Sequence, residues 1–132
     1  MTVGIVIVSH SQRLAEGVVE FVSEMAQGPV AIIAAGGKDT GELGTSLEKI
    51  SRALEAAESG DGVLVLVDVG SAAMTAQVAL EALSADRRAR IMLSAAPLVE
   101  GAFLAAIRAS MGSDLASVTA AASEATEMDK GL

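Results

Sequence analysis

The chain contains one histidine, His10, and the position of this residue favours a chemical role. The apolar run 3–8 precedes it, and it lies within the polar segment Ser9-His10-Ser11. A run of this kind followed by a helical pattern predicts a buried parallel strand, with the imidazole just beyond its carboxyl end. Ligands and reactive groups of open α/β sheets collect at that end. The alternative is a partly buried, hydrogen-bonded histidine with a structural role.

A carboxylate, Asp68, follows the third apolar run, Val63-Leu64-Val65-Leu66-Val67. If the first and third strands are neighbours, as in the doubly wound order 2-1-3-4, their following loops bring His10 and Asp68 together. The carboxylate then accepts a hydrogen bond from one imidazole nitrogen, and the other nitrogen keeps a lone pair for nucleophilic attack. The alternative for Asp68 is a turn or N-cap position before the next helix, although Ser71 competes for that cap.

A glycine-rich connection lies between the second strand and the second helix. The ten residues 35–44 contain four glycines, among them Gly37, and a helix opens at Thr45. Backbone N–H groups of such a loop and of a helix N-terminus attract anions, so we predict a phosphate-binding segment that includes Gly37 and Thr45. A flexible surface loop is the alternative. The hydroxyls of Ser9, Ser11 and Ser71 complete the predicted phosphate or partner contacts, although helix capping is the role we favour for Ser9 and Ser11.

Four apolar runs, each followed by a helical pattern, predict βαβ units. The predicted strands are 3–8, 30–34, 62–67 and 90–93, and the predicted helices are 13–25, 46–58, 72–83, 99–111 and 114–127. Thr45 and Glu48 form a capping-box pattern, and Asp114 is a predicted N-cap. The fold class is therefore α/β, with a doubly wound, mainly parallel sheet of order 2-1-3-4 and helices on both faces. The length of 132 residues predicts one domain, 1–132, with 127–132 frayed.

The composition excludes several classes of protein. Nine basic against 17 acidic residues give a net charge of −8, which argues against a nucleic-acid partner. The absence of cysteine excludes disulfides and thiolate chemistry, and one histidine without cysteine argues against a metal site. No phosphate loop with its lysine and no dinucleotide fingerprint follows the first strand, so we expect no bound cofactor. The first apolar run is too short for a signal peptide or a membrane span, which favours a cytoplasmic protein.

Five segments together resemble the phosphocarrier subunits of phosphoenolpyruvate-dependent dihydroxyacetone kinases, which are relatives of the mannose-type EIIA domains of the bacterial sugar phosphotransferase system. The segments are Ile5-Val6-Ile7-Val8-Ser9-His10-Ser11, Ala34-Ala35-Gly36-Gly37, Leu43-Gly44-Thr45-Ser46, Val67-Asp68-Val69-Gly70-Ser71-Ala72 and Ala95-Ala96-Pro97-Leu98-Val99-Glu100-Gly101-Ala102. Each segment is unspecific by itself, but together they cover almost the entire chain.

The resemblance implies that His10 accepts a phosphoryl group on Nε2 from the phosphocarrier protein HPr and that Asp68 pairs with this histidine. It further implies transfer to ADP on a partner kinase subunit, which phosphorylates dihydroxyacetone, and assembly as a homodimer with the mannose-type EIIA fold. Near the site we expect Leu98 and Val99 to offer apolar contacts to these partners and Arg13 a positive charge. Two alternatives stay open: an EIIA component of a mannose-type transporter that passes phosphate to an EIIB protein, and a regulatory module in which His10 is structural.

Overall fold

A four-stranded parallel sheet forms the centre of the molecule. The structure, a computed structural model, describes residues 2–132. The strands are β1 (Gly4–Ser9), β2 (Ile32–Gly36), β3 (Val63–Val67) and β4 (Ile91–Ser94). All pairings are parallel and the order is β2-β1-β3-β4, which confirms the predicted α/β fold and strand order.

The helices cover both faces of this sheet. They are α1 (Gln12–Met25), α2 (Leu47–Ala57), α3 (Gly70–Glu81), α4 (Ala85–Arg88), α5 (Leu98–Ser110) and α6 (Leu115–Ser123), followed by a 3₁₀ turn over Glu124–Glu127. None of the helices within residues 2–132 has the length and apolar character needed to cross a membrane.

The burial of β1 explains its continuous apolar sequence. All six of its residues are buried, because helices pack on both faces. Ile5 and Ile7 pack into a core with α1, α5 and α6, whereas Val6 and Val8 pack into a second core with α2 and α3. Alanine supplies much of the helical side of both cores, so the helices lie close to the sheet.

Several predicted boundaries are wrong in physically informative ways. Strand β2 runs on to Gly36, two residues past its predicted end. It passes so close to the start of α1 there that a Cβ on residue 36 would lie 2.5 Å from the carbonyl oxygen of Ser11, so only glycine fits. The predicted capping box is also wrong, since Ser46 is the N-cap of α2 and accepts a hydrogen bond from the N–H of Lys49. Asp114 caps α6 as predicted.

Candidate active site

The carboxyl ends of β1 and β3 carry the two residues that the sequence singles out. Val8 and Val67 are partners in the sheet, and the N–H of Asp68 donates to the carbonyl of Val8 at 3.1 Å. The parallel ladder thus continues to the point where both strands end. The loops that follow therefore lie side by side and bring His10 against Asp68.

The carboxylate of Asp68 accepts hydrogen bonds from both loops. Its Oδ2 accepts from the hydroxyl of Ser9 at 3.0 Å and from the N–H of His10 at 2.8 Å. Its Oδ1 accepts from the N–H of Val69 at 2.7 Å and lies 3.0 Å from Nδ1 of the imidazole. The carboxylate is thus held by two backbone N–H groups, so its orientation toward the imidazole is fixed.

These contacts also determine the charge of Asp68 and the tautomer of His10. Partial burial raises the pKa of Asp68, but the hydrogen bonds from the backbone of His10 and Val69 and from the side chains of His10 and Ser9 together lower it below its usual 3.8. Asp68 is therefore ionised at neutral pH and can only accept hydrogen bonds. Nδ1 must then carry the shared proton, which leaves the lone pair of a neutral imidazole on Nε2.

Nε2 points toward the first turn of α3. The hydroxyl of Ser71 lies 2.6 Å from Nε2, and the imidazole side chain is 31% exposed against 15% for that of Asp68. Helix α3 has no side-chain cap, so the prediction that Ser71 competes with Asp68 for capping is wrong. The serine hydroxyl instead faces Nε2, and the helix N-terminus adds a partial positive charge beside it.

The two serines that flank His10 serve different purposes. Ser11 caps α1 and accepts from the N–H of Leu14 at 3.1 Å, as predicted. Ser9 is fully buried and does not cap the helix. Its hydroxyl donates to Asp68 and accepts from the N–H of Ser11 at 3.0 Å, so it ties the carboxylate to the histidine loop.

The glycine-rich connection braces this loop. The N–H of Gly37 donates to the carbonyl of Ser9 at 3.1 Å, and the N–H of Gly44 donates to the carbonyl of His10 at 2.8 Å. These two amides are engaged with the protein's own backbone, so they do not offer the free donors that the glycine pattern suggests. A direct phosphate contact by Gly37 stays a prediction that needs this bond to break.

Thr45 connects the same loop to α3. Its hydroxyl lies 2.9 Å from that of Thr75, and the hydroxyl of Thr75 donates to the carbonyl of Ser71 at 3.3 Å. Thr75 is not among the residues that the sequence pattern predicts for the site. The available signal is its position four residues after Ser71, which places it one helical turn further along the same face.

Leu98, the predicted partner contact, lies beside the site in a cleft of about 680 Å³ that also includes Asp68, Val69 and Pro97. Leu98 is only partly exposed and packs against the core formed with α1 and α5. Val99, which is 39% exposed, and Arg13 both lie along a separate groove with Phe21. A role of Leu98 in partner binding therefore stays a prediction, and a charge at this position would also disturb the core.

Comparison with known proteins points to one family. Residues 4–119 match the model of the EIIA-man family, described as PTS system fructose IIA component. The chain is also similar to a solved crystal structure, that of a protein of unknown function named EF1359. The TM-score is 0.87 and the sequence identity 34%, with 100% of this chain and 99% of the other covered.

Similar proteins with assigned names share a common description. The phosphoryl donor subunit DhaM of the PEP-dependent dihydroxyacetone kinase of Escherichia coli (strain K12) is 41% identical over 128 residues, which are 95% of this chain and 27% of that protein. The corresponding subunit of kinase 2 of Listeria innocua is 39% identical over 106 residues, which cover 80% of this chain and 85% of the relative. The chain thus spans about a quarter of the first relative and most of the second.

Proposed function

The chain belongs to the EIIA-man family, and from this membership we propose that it is a phosphohistidine carrier for a phosphoenolpyruvate-dependent dihydroxyacetone kinase. The phosphoryl group is carried on Nε2 of His10. The observation that carries the proposal is the 3.0 Å contact between Nδ1 and the ionised Asp68, which places the nucleophilic lone pair of the imidazole on Nε2. The names of the relatives support the assignment to a dihydroxyacetone kinase.

The transfer step follows from this geometry. The Nε2 lone pair attacks the phosphorus of a donor phosphohistidine, the donor's N–P bond breaks, and its electron pair returns to the donor's nitrogen. Because Nδ1 keeps its proton, the ring of His10 gains a positive charge as the new N–P bond forms. The negative charge of Asp68 stabilises that ring, and Nε2 stays a good leaving group for the next transfer.

Ser71 contacts the phosphoryl group once it has arrived. Its hydroxyl gives up the hydrogen bond to Nε2 by rotation about a single side-chain torsion and then donates to a phosphoryl oxygen. The N–H groups of Gly70 and Ser71 at the start of α3 and the helix dipole stabilise the same negative charge. Ser9 acts on the reaction indirectly, because its hydroxyl holds Asp68 in place and does not reach Nε2.

The partners of this reaction are part of the proposal. HPr delivers the phosphoryl group, and ADP held on a kinase subunit accepts it: an oxygen of the ADP terminal phosphate attacks the phosphorus, and the N–P bond on His10 breaks. The ATP formed then phosphorylates dihydroxyacetone. We further propose that the carrier acts as a homodimer in the cytoplasm.

One alternative has a specific observation in its favour. The matching family model is described as a sugar phosphotransferase component, and an EIIA protein of a mannose-type transporter would pass the same phosphoryl group to an EIIB protein. Incubation of the phosphorylated carrier with each acceptor in turn distinguishes the two functions. Transfer of the phosphoryl group from the carrier to the ADP-bearing kinase subunit, without transfer to EIIB, supports the kinase function.

The decisive experiment is intact-protein mass spectrometry after incubation with phosphoenolpyruvate, enzyme I and HPr. We expect the wild-type chain to gain one acid-labile phosphoryl group and His10→Ala to gain none. The melting temperature of His10→Ala should stay close to that of the wild type. Stoichiometric phosphorylation of His10→Ala would refute the carrier mechanism. An unmodified wild-type chain would favour the regulatory module in which His10 is structural.

A further inference from the structure

Lys49 occupies an unfavourable position for a basic residue. It is the third residue of α2, which begins at Leu47, and the positive end of the helix dipole disfavours a cation there. The residue is half-buried, and its Nζ donates to the carbonyl of Gly36 at 2.9 Å. The same Nζ lies 3.5 Å from Oε1 of Gln12, the first residue of α1. A specific contact with β2 therefore offsets the unfavourable place of this charge on its helix.

Gly36 presents its carbonyl at the open edge of the sheet. Strand β2 is an edge strand, and successive residues of a strand point their N–H and C=O groups alternately toward and away from the neighbouring strand. The carbonyl of Ala31 and the N–H of Gly37 both bond to β1, so Gly36 faces outward. Within residues 2–132, Lys49 is the one residue whose side chain donates to β2. The ammonium group thus covers the last carbonyl of this edge.

The carbonyl of Gly36 and the N–H of Gly37 belong to a single peptide group, which is planar. On the inner side of this group, the N–H donates to the carbonyl of Ser9 at 3.1 Å. On the outer side, the carbonyl accepts from Lys49 at 2.9 Å. The peptide group is thus held from both sides, and a rotation that breaks one contact also breaks the other.

This peptide group depends on its contacts because a glycine stands on each side of it. Gly37 has a φ of +73°, and glycine adopts either sign of φ at little cost. Rotation of the peptide plane would therefore be easy without a partner for the carbonyl. Such a rotation would release Ser9, whose hydroxyl donates to Asp68 at 3.0 Å. The movement would thus reach the carboxylate that aligns His10.

We propose that Lys49 is a positioning residue for the transfer of the phosphoryl group to His10, an inference that rests on the proposed function. Its ammonium group fixes the Gly36–Gly37 peptide group, which through Ser9 keeps Asp68 aligned with Nδ1. Lys49 acts at a distance, because its hydrogen-bond partners belong to β2 and α1 and not to the imidazole. Removal of the ammonium group therefore changes the alignment of the imidazole more than it changes the fold.

The test compares Lys49→Met with the matched control Arg52→Met. Methionine keeps a long unbranched side chain and removes the ammonium group. Arg52 lines the same groove between α1 and α2 and carries the same charge, but its ion pair is with the exposed Glu48, at 3.6 Å. Lys49→Arg restores a charged donor. Lys49→Gln is a second neutral variant, should Lys49→Met fail to fold.

Each variant is labelled with phosphoramidate, a small phosphoryl donor, and NMR records the exchange of the N–H of Gly37 and the nitrogen that carries the imidazole proton. We expect Lys49→Met to slow labelling of His10 about three- to tenfold, because one hydrogen bond that orients the site is lost. The N–H of Gly37 should exchange about tenfold faster, and part of the imidazole proton should move from Nδ1 to Nε2. Lys49→Arg and Arg52→Met should stay within about twofold of the wild-type rates.

Labelling of Lys49→Met at the wild-type rate would overturn the proposal. An equal loss in Arg52→Met would overturn it as well, because the charge and not the contact would then be responsible. So would slower labelling with an unchanged exchange rate of Gly37 and an unchanged proton position, since Lys49 would then act without the peptide group. Failure of the proposed function looks different: the wild type would take no label, while both NMR measurements would still test the contact with Gly36.

Discussion

Replacing Asp68 by asparagine separates the charge of this residue from its shape. An asparagine has one acceptor oxygen and one NH₂ group, where Asp68 has two acceptor oxygens. If the NH₂ group takes the place of Oδ2, it opposes the N–H of His10. If it takes the place of Oδ1, it opposes the N–H of Val69. At least one backbone hydrogen bond is therefore lost in either orientation.

The size of the effect follows from the number and kind of bonds that are lost. A hydrogen bond to a charged group contributes about 1.5–3 kcal/mol, so we expect Asp68→Asn to lower the free energy of unfolding by about 2 kcal/mol. The Nδ1 contact is weakened as well, and with it the preference for the proton on Nδ1. At about 1.4 kcal/mol per factor of ten, phosphorylation of His10 should slow by about 10- to 100-fold without being abolished.

The pH dependence identifies the charge as the cause. The pKa of Asp68 is lower in the folded chain than its usual 3.8, so the carboxylate stabilises the fold fully above the unfolded pKa. This contribution is lost as the pH falls through the lowered folded pKa. The difference in unfolding free energy between wild type and Asp68→Asn should therefore be constant near neutral pH and shrink below about pH 4.

Chemical unfolding at a series of pH values, together with the rate of labelling by phosphoramidate, measures both effects. A stability difference that persists undiminished at strongly acidic pH would show that shape, and not charge, is responsible. Wild-type labelling rates in Asp68→Asn would refute the orienting role of the carboxylate, even if the stability loss is as large as expected.

The remaining predictions concern the helices and loops that support the site. Gly17→Ala should raise the free energy of unfolding by about 0.5–1 kcal/mol, because Gly17 lies within α1 and a Cβ there meets nothing within 4 Å; a lower melting temperature would contradict this. Gly36→Ala should destabilise the chain and slow labelling of His10, because its Cβ would lie 2.5 Å from the carbonyl oxygen of Ser11. Thr75→Val should slow labelling several-fold while Thr75→Ser restores it, because only the hydroxyl joins Thr45 to the first turn of α3; equal rates in both variants would exclude that role.

The strand order and the approach of His10 to Asp68 could be predicted because they depend on the same simple pattern. Two apolar runs that end in His10 and Asp68 become neighbouring parallel strands, and parallel strands present their carboxyl ends at one edge. Periodicity and turn residues are sufficient for this level of description. They also predict Ser11 and Asp114 as the N-caps of α1 and α6, because an N-cap side chain bonds to an N–H only a few residues further along the chain.

The parts that could not be predicted depend on contacts between segments distant in sequence. Thr45 follows the pattern of an N-cap, yet its hydroxyl contacts Thr75 and the neighbouring Ser46 caps α2. The glycine-rich loop has the composition of an anion-binding segment, yet the N–H groups of Gly37 and Gly44 bond to the carbonyls of Ser9 and His10. In both cases the local pattern allows two partners, and the packing of the loop against the end of β1 decides between them.

The anchoring of Asp68 to the backbone of two strand ends has a consequence for the direction of transfer. Because the carboxylate and the imidazole are aligned by folding, little reorganisation energy is required when a phosphoryl group arrives or leaves. The same arrangement meets the donor and the acceptor, so the forward and reverse reactions pass through one preorganised geometry. Phosphoryl transfer through this carrier is therefore reversible, and its direction is set by the concentrations and phosphoryl-transfer potentials of the partners.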